Sequence, residues 1–389
     1  MPADDLRRAR FPGSASRPVV SPIQPSVVYA SADADALDDQ YEGRVKGYTY
    51  AREGHPNAET LAGLIDRMEG ATGGIVTGSG MAAVTVALLA NLKAGDHVIG
   101  ADQLYGRSLR LMRDDLPRFG MTTSLVDPTD AARIEAAVRP DTRMILLETV
   151  SNPTLRLADL EGAARIAKRH GILLAVDNTF TTPRALQPLS LGADIVIHSV
   201  TKLLAGHSDA TLGYTAARDA EVAERMRVLT ATMGLTPSPF DCWLAERGLY
   251  TFDLRFERVC ATARRLADAL AETPGVRCVL YPTRPDHPDH NRAQALLAGQ
   301  GGNMVSFELD GGRATVNRFL RAAEALSFAP TLGDVGTTLS HPASSSHRAL
   351  SAEQRMALGI PEGFIRVSVG CEDPDSLIET MVSGVRNAL

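Results

Sequence analysis

The chain has 389 residues, 44% of them hydrophobic and 22% charged, with a formal net charge of −6. At roughly 150 residues per domain this length predicts two or three domains with a sizeable core, and it excludes a single small module. No apolar run is long enough to span a bilayer, and the lysines and arginines are scattered among acids, which argues against membrane and nucleic-acid partners.

Taken in chain order, the opening stretch "MPADDLRRARFPGSASRP" lacks the apolar core of a secretory signal, and the expectation is a cytoplasmic protein. Residues 1–59, rich in Pro, Gly and short polar pieces, are too irregular to fold alone and predict an arm laid on a neighbouring subunit. From Thr60 a helical pattern, "TLAGLIDRMEGA", leads to the Gly-rich turn "TGGIVTGSG" and then to the strong helix former "MAAVTVALLANL". Short apolar runs then alternate with amphipathic stretches: "DHVIGA", "TTSLVD", "RMILLET", "ILLAVDN" and "ADIVIHS", separated by "SLRLMRDDLPRFG", "AARIEAAVR" and "LEGAARIAKRHG". Strands of about five residues between helices of about ten or more are the mark of an α/β, mostly parallel sheet covered on both faces. Residues 60–250 are read as this domain. Past the Pro-rich turn "LTPSPF", a long helical segment followed by "VRCVLYP", "NMVSFELD" and "FIRVSVG" predicts a smaller α+β domain over residues 251–389. Cys242, Cys260, Cys278 and Cys371 are widely spaced with no Cys-x-x-Cys pair, as ordinary reduced thiols would be. His287 and His290 in "DHPDHN" are read as surface polar residues, not metal ligands.

In such a sheet, ligands bind beyond the carboxyl ends of the strands, which directs attention to Glu148, Asn152, Asp177, Asn178, Ser199, Thr201 and Lys202. Lys202 follows the apolar run "ADIVIH". Two readings fit it: a surface lysine opening a helix, or a desolvated amine of lowered pKa that forms a Schiff base with a carbonyl cofactor. Asp177, 25 residues earlier, ends the adjacent strand-helix unit, so neighbouring strands bring a carboxylate and an amine to one crevice. Pyridoxal 5'-phosphate needs that pair: a lysine for its aldehyde, and an acid to keep the ring nitrogen protonated. The alternative for Asp177 is a helix cap beside Asn178 and Thr179. Gly78, Ser79 and Gly80 of "TGSGMAA" at a helix start, with the Ser199 and Thr201 hydroxyls, offer a phosphate cradle.

The glycines also support a rival from another class. Gly78-x-Gly80-x-x-Ala83, with Asp102 19 residues beyond Ala83, approximates a dinucleotide fingerprint and would imply an NAD-dependent oxidoreductase. That reading leaves Asp177 and Lys202 unexplained.

Together, "YTYAREGHPN", "TGSGMAAV", "DQLYGRS", "ETVSNPT", "AVDNTF", "SVTKLLAGHSDATLG", "TLGDVGTTLSHPASSSHR" and "FIRVSVGCED" resemble the Cys/Met-metabolism family of pyridoxal-phosphate enzymes, in the family's order from about residue 20 to the C-terminus. The family comprises cystathionine γ-synthases, cystathionine β- and γ-lyases, methionine γ-lyases and homoserine-ester sulfhydrylases. The resemblance implies an aminotransferase-like (fold type I) domain with a mixed, mostly parallel seven-stranded sheet, and a homotetramer built from active-site dimers. It implies that Lys202 binds the cofactor and shuttles protons, that Asp177 pairs with the ring nitrogen, and that Tyr105 stacks on the ring and transfers protons. Gly80, Met81, Ser199 and Thr201 would hold the phosphate, completed by Tyr50 and Arg52 from the neighbouring subunit, while Asn152 would contact the ring hydroxyl. Arg366 would clamp the substrate α-carboxylate in a bidentate pair, with Thr331 and Arg107 also on the substrate side.

The reaction the resemblance implies is γ-elimination from a sulfur-containing or related γ-substituted amino acid, giving a 2-oxo acid and ammonia. β-Elimination and γ-replacement are the family's other routes. Three departures bear on the choice. Gly336 of "TLGDVGT" stands where many cystathionine enzymes have a glutamate, so a distal ammonium would lose its partner. Arg107 follows "LYG" where glycine or cysteine is usual; it either enters the pocket and binds an anionic or polar substrate tail, or faces solvent. His55 and Asn57 in "EGHPN" alter a dimer-facing loop, and His341, Ser346, His347 and Arg348 of "HPASSSHR" are either specificity residues at the mouth or a structural turn.

Overall fold

The computed structural model describes residues 13–389; the first twelve residues of the expected arm lie outside the described residues. Seven strands form the larger sheet: β1 (Ile75–Thr77), β2 (His97–Ala101), β3 (Thr122–Val126), β4 (Thr142–Glu148), β5 (Leu173–Asp177), β6 (Ile195–His198) and β7 (Gly213–Ala217). Their order is β1-β7-β6-β5-β4-β2-β3; β7 runs antiparallel to both its neighbours, and the other pairs are parallel. The apolar runs in the sequence are these central strands. β2, β6 and β7 are buried along their whole length, as expected of strands covered on both faces. Because β4, β5 and β6 are parallel and in register, their carboxyl ends meet at one edge.

The smaller sheet contains β8 (Val276–Leu280), β9 (Met304–Leu309), β10 (Ser327–Phe328), β11 (Thr338–Ser340) and β12 (Phe364–Ser368), in the order β10-β11-β12-β9-β8. Helix Phe252–Ala271 joins the two layers. Phe252, Phe256 and Val259 in its first half belong to the core that contains Val196, Leu203 and Tyr214. Ala263, Leu266, Ala267 and Leu270 in its second half pack in the core of the smaller sheet. One apolar face thus ties the segment after Lys202 to the sheet that carries Arg366.

Where the sequence predicts one helix over "SLRLMRDDLPRFG", the chain forms three tight pieces: α-helix Gly106–Arg110, a π-helical turn Leu111–Asp115 and a 3-10 turn Leu116–Phe119. Pro117 has no amide hydrogen to continue the helix, and the wider and narrower turns accommodate that loss. No residue between 13 and 50 is buried, although Val19, Val20, Val27 and Val28 are apolar. No helix among the described residues is long and apolar enough to cross a membrane.

Phe256 is 2% exposed and its ring lies 5.6 Å from that of Phe252. Phe256→Ala should therefore cost about 3–5 kcal/mol in urea unfolding; a loss below about 1 kcal/mol would show that the helix does not join the two cores as described.

Candidate active site

Glu148 at the end of β4 stands opposite Asp177 at the end of β5, and Asp177 opposite Ile197 of β6. Asp177 Oδ1 accepts the Thr179 amide at 3.0 Å and the Thr179 hydroxyl at 2.5 Å, and Thr179 Oγ1 in turn accepts the Ser199 amide at 2.8 Å. This relay locks the carboxylate to the turn that leads to Lys202. Asp177 caps no helix, since the next one, Thr182–Ala185, begins after Thr181. Its other oxygen makes no hydrogen bond with a described residue. Burial pushes the Asp177 carboxyl above its ordinary value, against the opposing Thr179 bonds and the nearby His198.

Lys202 sits in a tight turn, its amide donating to the Ser199 carbonyl at 3.1 Å and its carbonyl accepting from Gly206 at 2.8 Å. Gly333, at φ +80°, is pressed against this turn; a Cβ there would lie 2.5 Å from the Leu203 nitrogen. The lysine is partly buried, and its amine makes no hydrogen bond or ion pair with a described residue. Burial lowers its pKa, and the Arg366 cation lowers it further. Lys202 lies in a turn, not at a helix start, and lines the same cavity as Asp177.

Helix Gly80–Leu89 begins beside the same turn. Ser79 Oγ caps the Ala82 amide at 3.1 Å, which leaves the first-turn amides of Gly80 and Met81 available to an anion. A Cβ on Gly80 would fall 2.7 Å from Ser199 Oγ, so only glycine lets the helix end approach that hydroxyl. Thr201 lines the same wall, but its hydroxyl donates to the Leu212 carbonyl at 3.1 Å and accepts the Leu212 amide at 2.8 Å. Its proton is already committed to the fold.

Arg366, on β12, is 5% exposed. Nη1 donates to Asn152 Oδ1 and Nη2 to the Thr331 carbonyl, both at 2.8 Å, while Nε is buried without a partner. Burial pulls its pKa down to about 10. Asn152 and Thr331 thus orient the guanidinium without neutralising it, and the free donor suits a carboxylate. Tyr105 opens helix Gly106–Arg110, and its amide donates to Glu148 Oε1 at 2.6 Å. Glu148, a strand-end residue with no role assigned from sequence, is what anchors Tyr105. Burial, then the charge of Asp177, pushes its carboxyl well above the usual range.

At the mouth, Gly106 packs on the loop before Arg348: a Cβ on Gly106 would lie 2.4 Å from the Ser346 carbonyl. His341 is a brace, with Nδ1 at 2.7 Å from Ser344 Oγ and Nε2 at 3.0 Å from the Glu362 carbonyl. His347, with Nδ1 2.9 Å from Ser346 Oγ, faces the pocket and is held neutral because burial pulls its pKa down to about 4. Every expected site residue except Gly78, Tyr50 and Arg52 lines one cavity of about 780 Å³, Arg107 included. Tyr50 is 41% exposed, with the Arg52 guanidinium 5.5 Å from its ring and donating to the Ala231 carbonyl at 3.2 Å, away from that cavity. Gly336 does not line it either; its amide donates to Asp334 at 2.7 Å. No group of three or more His, Cys, Asp or Glu among the described residues is arranged to hold a metal.

The glycine turn does not build a dinucleotide site. β1 is an edge strand antiparallel to β7, and four strands separate it from β2, which carries Asp102. A dinucleotide fingerprint needs those two strands parallel and adjacent.

A free amine, a fixed carboxylate on the neighbouring strand end and a helix N-terminus with an adjacent hydroxyl together define a pyridoxal 5'-phosphate enzyme of the aminotransferase-like fold. Residues 7–386 match the model of the Cys/Met metabolism PLP-dependent enzymes, and the chain belongs to that family. It is 39% identical over 345 residues to a cystathionine gamma-lyase of Bacillus subtilis, covering 89% of this chain and 90% of that one. It is 40% identical over 330 residues to a cystathionine beta-lyase of the same organism, covering 85% and 84%. Among solved structures it superposes on cystathionine gamma synthase from Xanthomonas oryzae pv. oryzae with TM-score 0.89 and 35% identity, over 95% and 93% of the two chains.

Because burial raises the Asp177 pKa in the folded chain, ionising it costs stability as pH rises above the ordinary carboxylate value near 3.9. Asp177→Asn keeps the acceptor for Thr179 and removes that cost. It should raise the Tm of the cofactor-free protein at pH 7 while weakening cofactor binding about ten- to a hundredfold in equilibrium dialysis. An unchanged Tm together with unchanged binding would remove Asp177 from the site.

Proposed function

We propose that this enzyme is a γ-lyase acting on a sulfur-containing or related γ-substituted amino acid, releasing 2-oxobutanoate, ammonia and the γ-substituent. The observation that carries the reading is the unpartnered Lys202 amine sharing one cavity of about 780 Å³ with Arg366 and Arg107. An α-amino acid held there by its carboxylate keeps room for a substituent beyond the γ-carbon. The cystathionine gamma-lyase relative supports the same choice, although a beta-lyase relative of similar identity makes a direct test necessary.

Pyridoxal 5'-phosphate, when bound, supplies a carbonyl that condenses with the substrate amine and a ring that stores the electron pair left at the α-carbon. The residues suited to hold it are Lys202 at the carbonyl, Asp177 at the ring nitrogen, and the Gly80 and Met81 amides with Ser199 at the phosphate. Asn152 and Thr201 join them in the reading, Thr201 through backbone support more than through its hydroxyl. Arg366 binds the α-carboxylate, and its anchors at Asn152 and Thr331 fix the orientation of the α-carbon. Lys202 Nζ, depressed in basicity by burial and by Arg366, takes the α-proton. The same nitrogen then moves a proton at the β-carbon, after which the bond from the γ-carbon to its substituent breaks. Tyr105, anchored through Glu148, covers the ring face and excludes water. Substrate and one water become the protonated leaving group, 2-oxobutanoate and ammonium, with no external oxidant or reductant.

We also infer a homotetramer of active-site dimers, in which Tyr50 and Arg52 complete the phosphate site of a neighbouring subunit. The absence of any buried residue from 13 to 50 and the exposed valines of that stretch support it. Chains carrying Arg52→Ala should regain activity when mixed with chains carrying Lys202→Ala, since one hybrid site then has both native residues; failure to complement would overturn the arm's role.

The reaction is tested by a panel of cystathionine, methionine, homocysteine, cysteine, canavanine and acylhomoserines, scored for oxo-acid chain length with and without sulfide. A four-carbon oxo acid formed without sulfide is expected. Pyruvate alone would establish β-elimination, and a thiol amino acid formed only with sulfide would establish γ-replacement. Lys202→Ala should abolish the cofactor's visible absorbance and lower turnover at least about a hundredfold.

A further inference from the structure

We propose that Glu69 and His198 form a buried couple behind Asp177 that holds a second proton on the imidazole in the holoenzyme, and that this positive end keeps Asp177 ionised and the cofactor ring nitrogen protonated. His198 is a positioning residue in this role, since it acts only through Asp177. The proposal rests on the reading of Asp177 as the partner of the ring nitrogen.

The couple is built on the same strand ends as the site. Asp177 stands opposite Ile197, and the residues that follow them, Asn178 and His198, both reach Glu69, the last residue of helix Pro56–Glu69. His198 Nε2 and Asn178 Nδ2 converge on Glu69 Oε1, the amide at 3.1 Å. Glu69 is 1% exposed, Asn178 and His198 0%, and none of the three lines the cavity.

The hydrogen bonds fix the protons. Asn178 Nδ2 also donates to the Leu186 carbonyl at 2.8 Å, while its Oδ1 accepts from Thr149 Oγ1 at 3.1 Å and from Thr181 Oγ1. Because a carbonyl cannot donate, the amide can face only one way, and Glu69 Oε1 accepts from both neighbours. The proton between Glu69 and His198 therefore belongs to Nε2. Glu69 Oε2 and His198 Nδ1 are buried without a partner. With the Nε2 proton alone, the couple would carry a net negative charge in the interior; a second proton on Nδ1 makes it a neutral ion pair.

The surroundings favour that state. His198 is the only ion-pair partner of Glu69 among the described residues. Glu69 also ends its helix, where the helix dipole disfavours a lone carboxylate and favours a facing cation. The other titratable groups facing the couple are Asp177 on β5, Asp66 on the same helix and Tyr214 on β7. Tyr214 donates to Asp66 at 2.6 Å with its ring 6.1 Å from that of His198, and burial keeps its phenol neutral. None of these opposes an imidazolium. Burial raises the Asp177 carboxyl, and the Thr179 bonds and the His198 charge work against it. Thr179 also holds the turn to Lys202, so His198 is the influence that can be removed while that turn stays intact.

The test uses His198→Gln, which keeps a donor for Glu69 without an imidazole, and Glu69→Gln, which keeps an acceptor for Asn178 without a carboxylate. The first readout is the nitrogen-15 resonance of holoenzyme carrying ring-labelled pyridoxal phosphate. A protonated ring is expected in the native enzyme, with the proton lost at about tenfold lower hydroxide concentration in either variant. The second is equilibrium dialysis of the cofactor-free protein against pyridoxal phosphate and against its analogue with carbon in place of the ring nitrogen. The preference for the natural cofactor should fall about tenfold in the variants with affinity for the analogue unchanged, whereas a purely structural role would weaken both alike. Asp177→Asn separates the two readings. A ring that loses its proton in Asp177→Asn but keeps it in both other variants overturns the couple and leaves Asp177 in place; a ring that stays protonated in Asp177→Asn overturns the Asp177 reading and the couple with it. Native holoenzyme labelled at histidine gives a check that needs no variant: the absence of a slowly exchanging imidazole with both nitrogens protonated at neutral pH overturns the proposal.

Discussion

Lys202 and Arg366 are two cations in one pocket, and no carboxylate of the described chain pairs with either. Burial lowers the basicity of both, and Arg366 adds its repulsion to Lys202. Unpaired buried charge is costly, so this arrangement persists only because the surrounding cores hold it and because the ligands are anionic or consume the amine. The depressed amine is also the chemically useful one, since a lysine at its ordinary pKa would be protonated and inert at neutral pH. The features that strain the apo fold are therefore the ones that prepare the site.

Holding those cations together is a matter of architecture more than of local sequence. Lys202 belongs to the end of β6 and Arg366 to β12, more than 160 residues later, in a different sheet. Helix Phe252–Ala271 buries one half of its apolar face in each core, and Gly333 brings the loop that carries Thr331 against the Lys202 turn. Arg255 on that helix adds polar stitching: its guanidinium donates to the carbonyls of Leu203 and Leu204 at 2.8 and 3.0 Å. The distance from amine to guanidinium is thus set by packing between sheets, which explains why a site of this kind needs two layers.

The pairing of Lys202 with Asp177 was legible in the sequence because parallel strands align their carboxyl ends, and apolar runs reveal where those ends fall. The cradle at Gly80 was legible for a similar local reason, a glycine turn opening a helix. Arg366 was legible only through family resemblance, since an arginine on a strand has no local mark of function and its Asn152 and Thr331 anchors are contacts across the fold. Glu148 stood in plain view at a strand end, yet its bond to the Tyr105 amide depends on the register of β4 against β5. Thr201 shows the opposite difficulty: a hydroxyl well placed in sequence is drawn into the backbone of Leu212. Tyr50 and Arg52 lie outside their own chain's cavity, so the role proposed for them has no counterpart within one chain. The glycine fingerprint misled for a topological reason, because spacing along the chain does not report that β1 is an antiparallel edge.

Glu148 and Asp177 give the acid side of the site its logic. Paired across β4 and β5, both are buried, and burial raises both pKa values. Their mutual repulsion opposes ionising the two together, so the empty pair favours retaining a proton. Asp177 has Thr179 and the nearby His198 to favour its ionised form, whereas Glu148 has only the Tyr105 amide on Oε1. A cationic group arriving at Asp177 would therefore ionise Asp177 and leave the proton with Glu148. The Tyr105 amide can keep its bond to the other oxygen of a neutral Glu148 carboxyl, so Tyr105 stays anchored while the charge settles one strand away. Division of labour between two adjacent acids, one to carry charge and one to hold a neighbouring residue in place, follows from that asymmetry in hydrogen bonding.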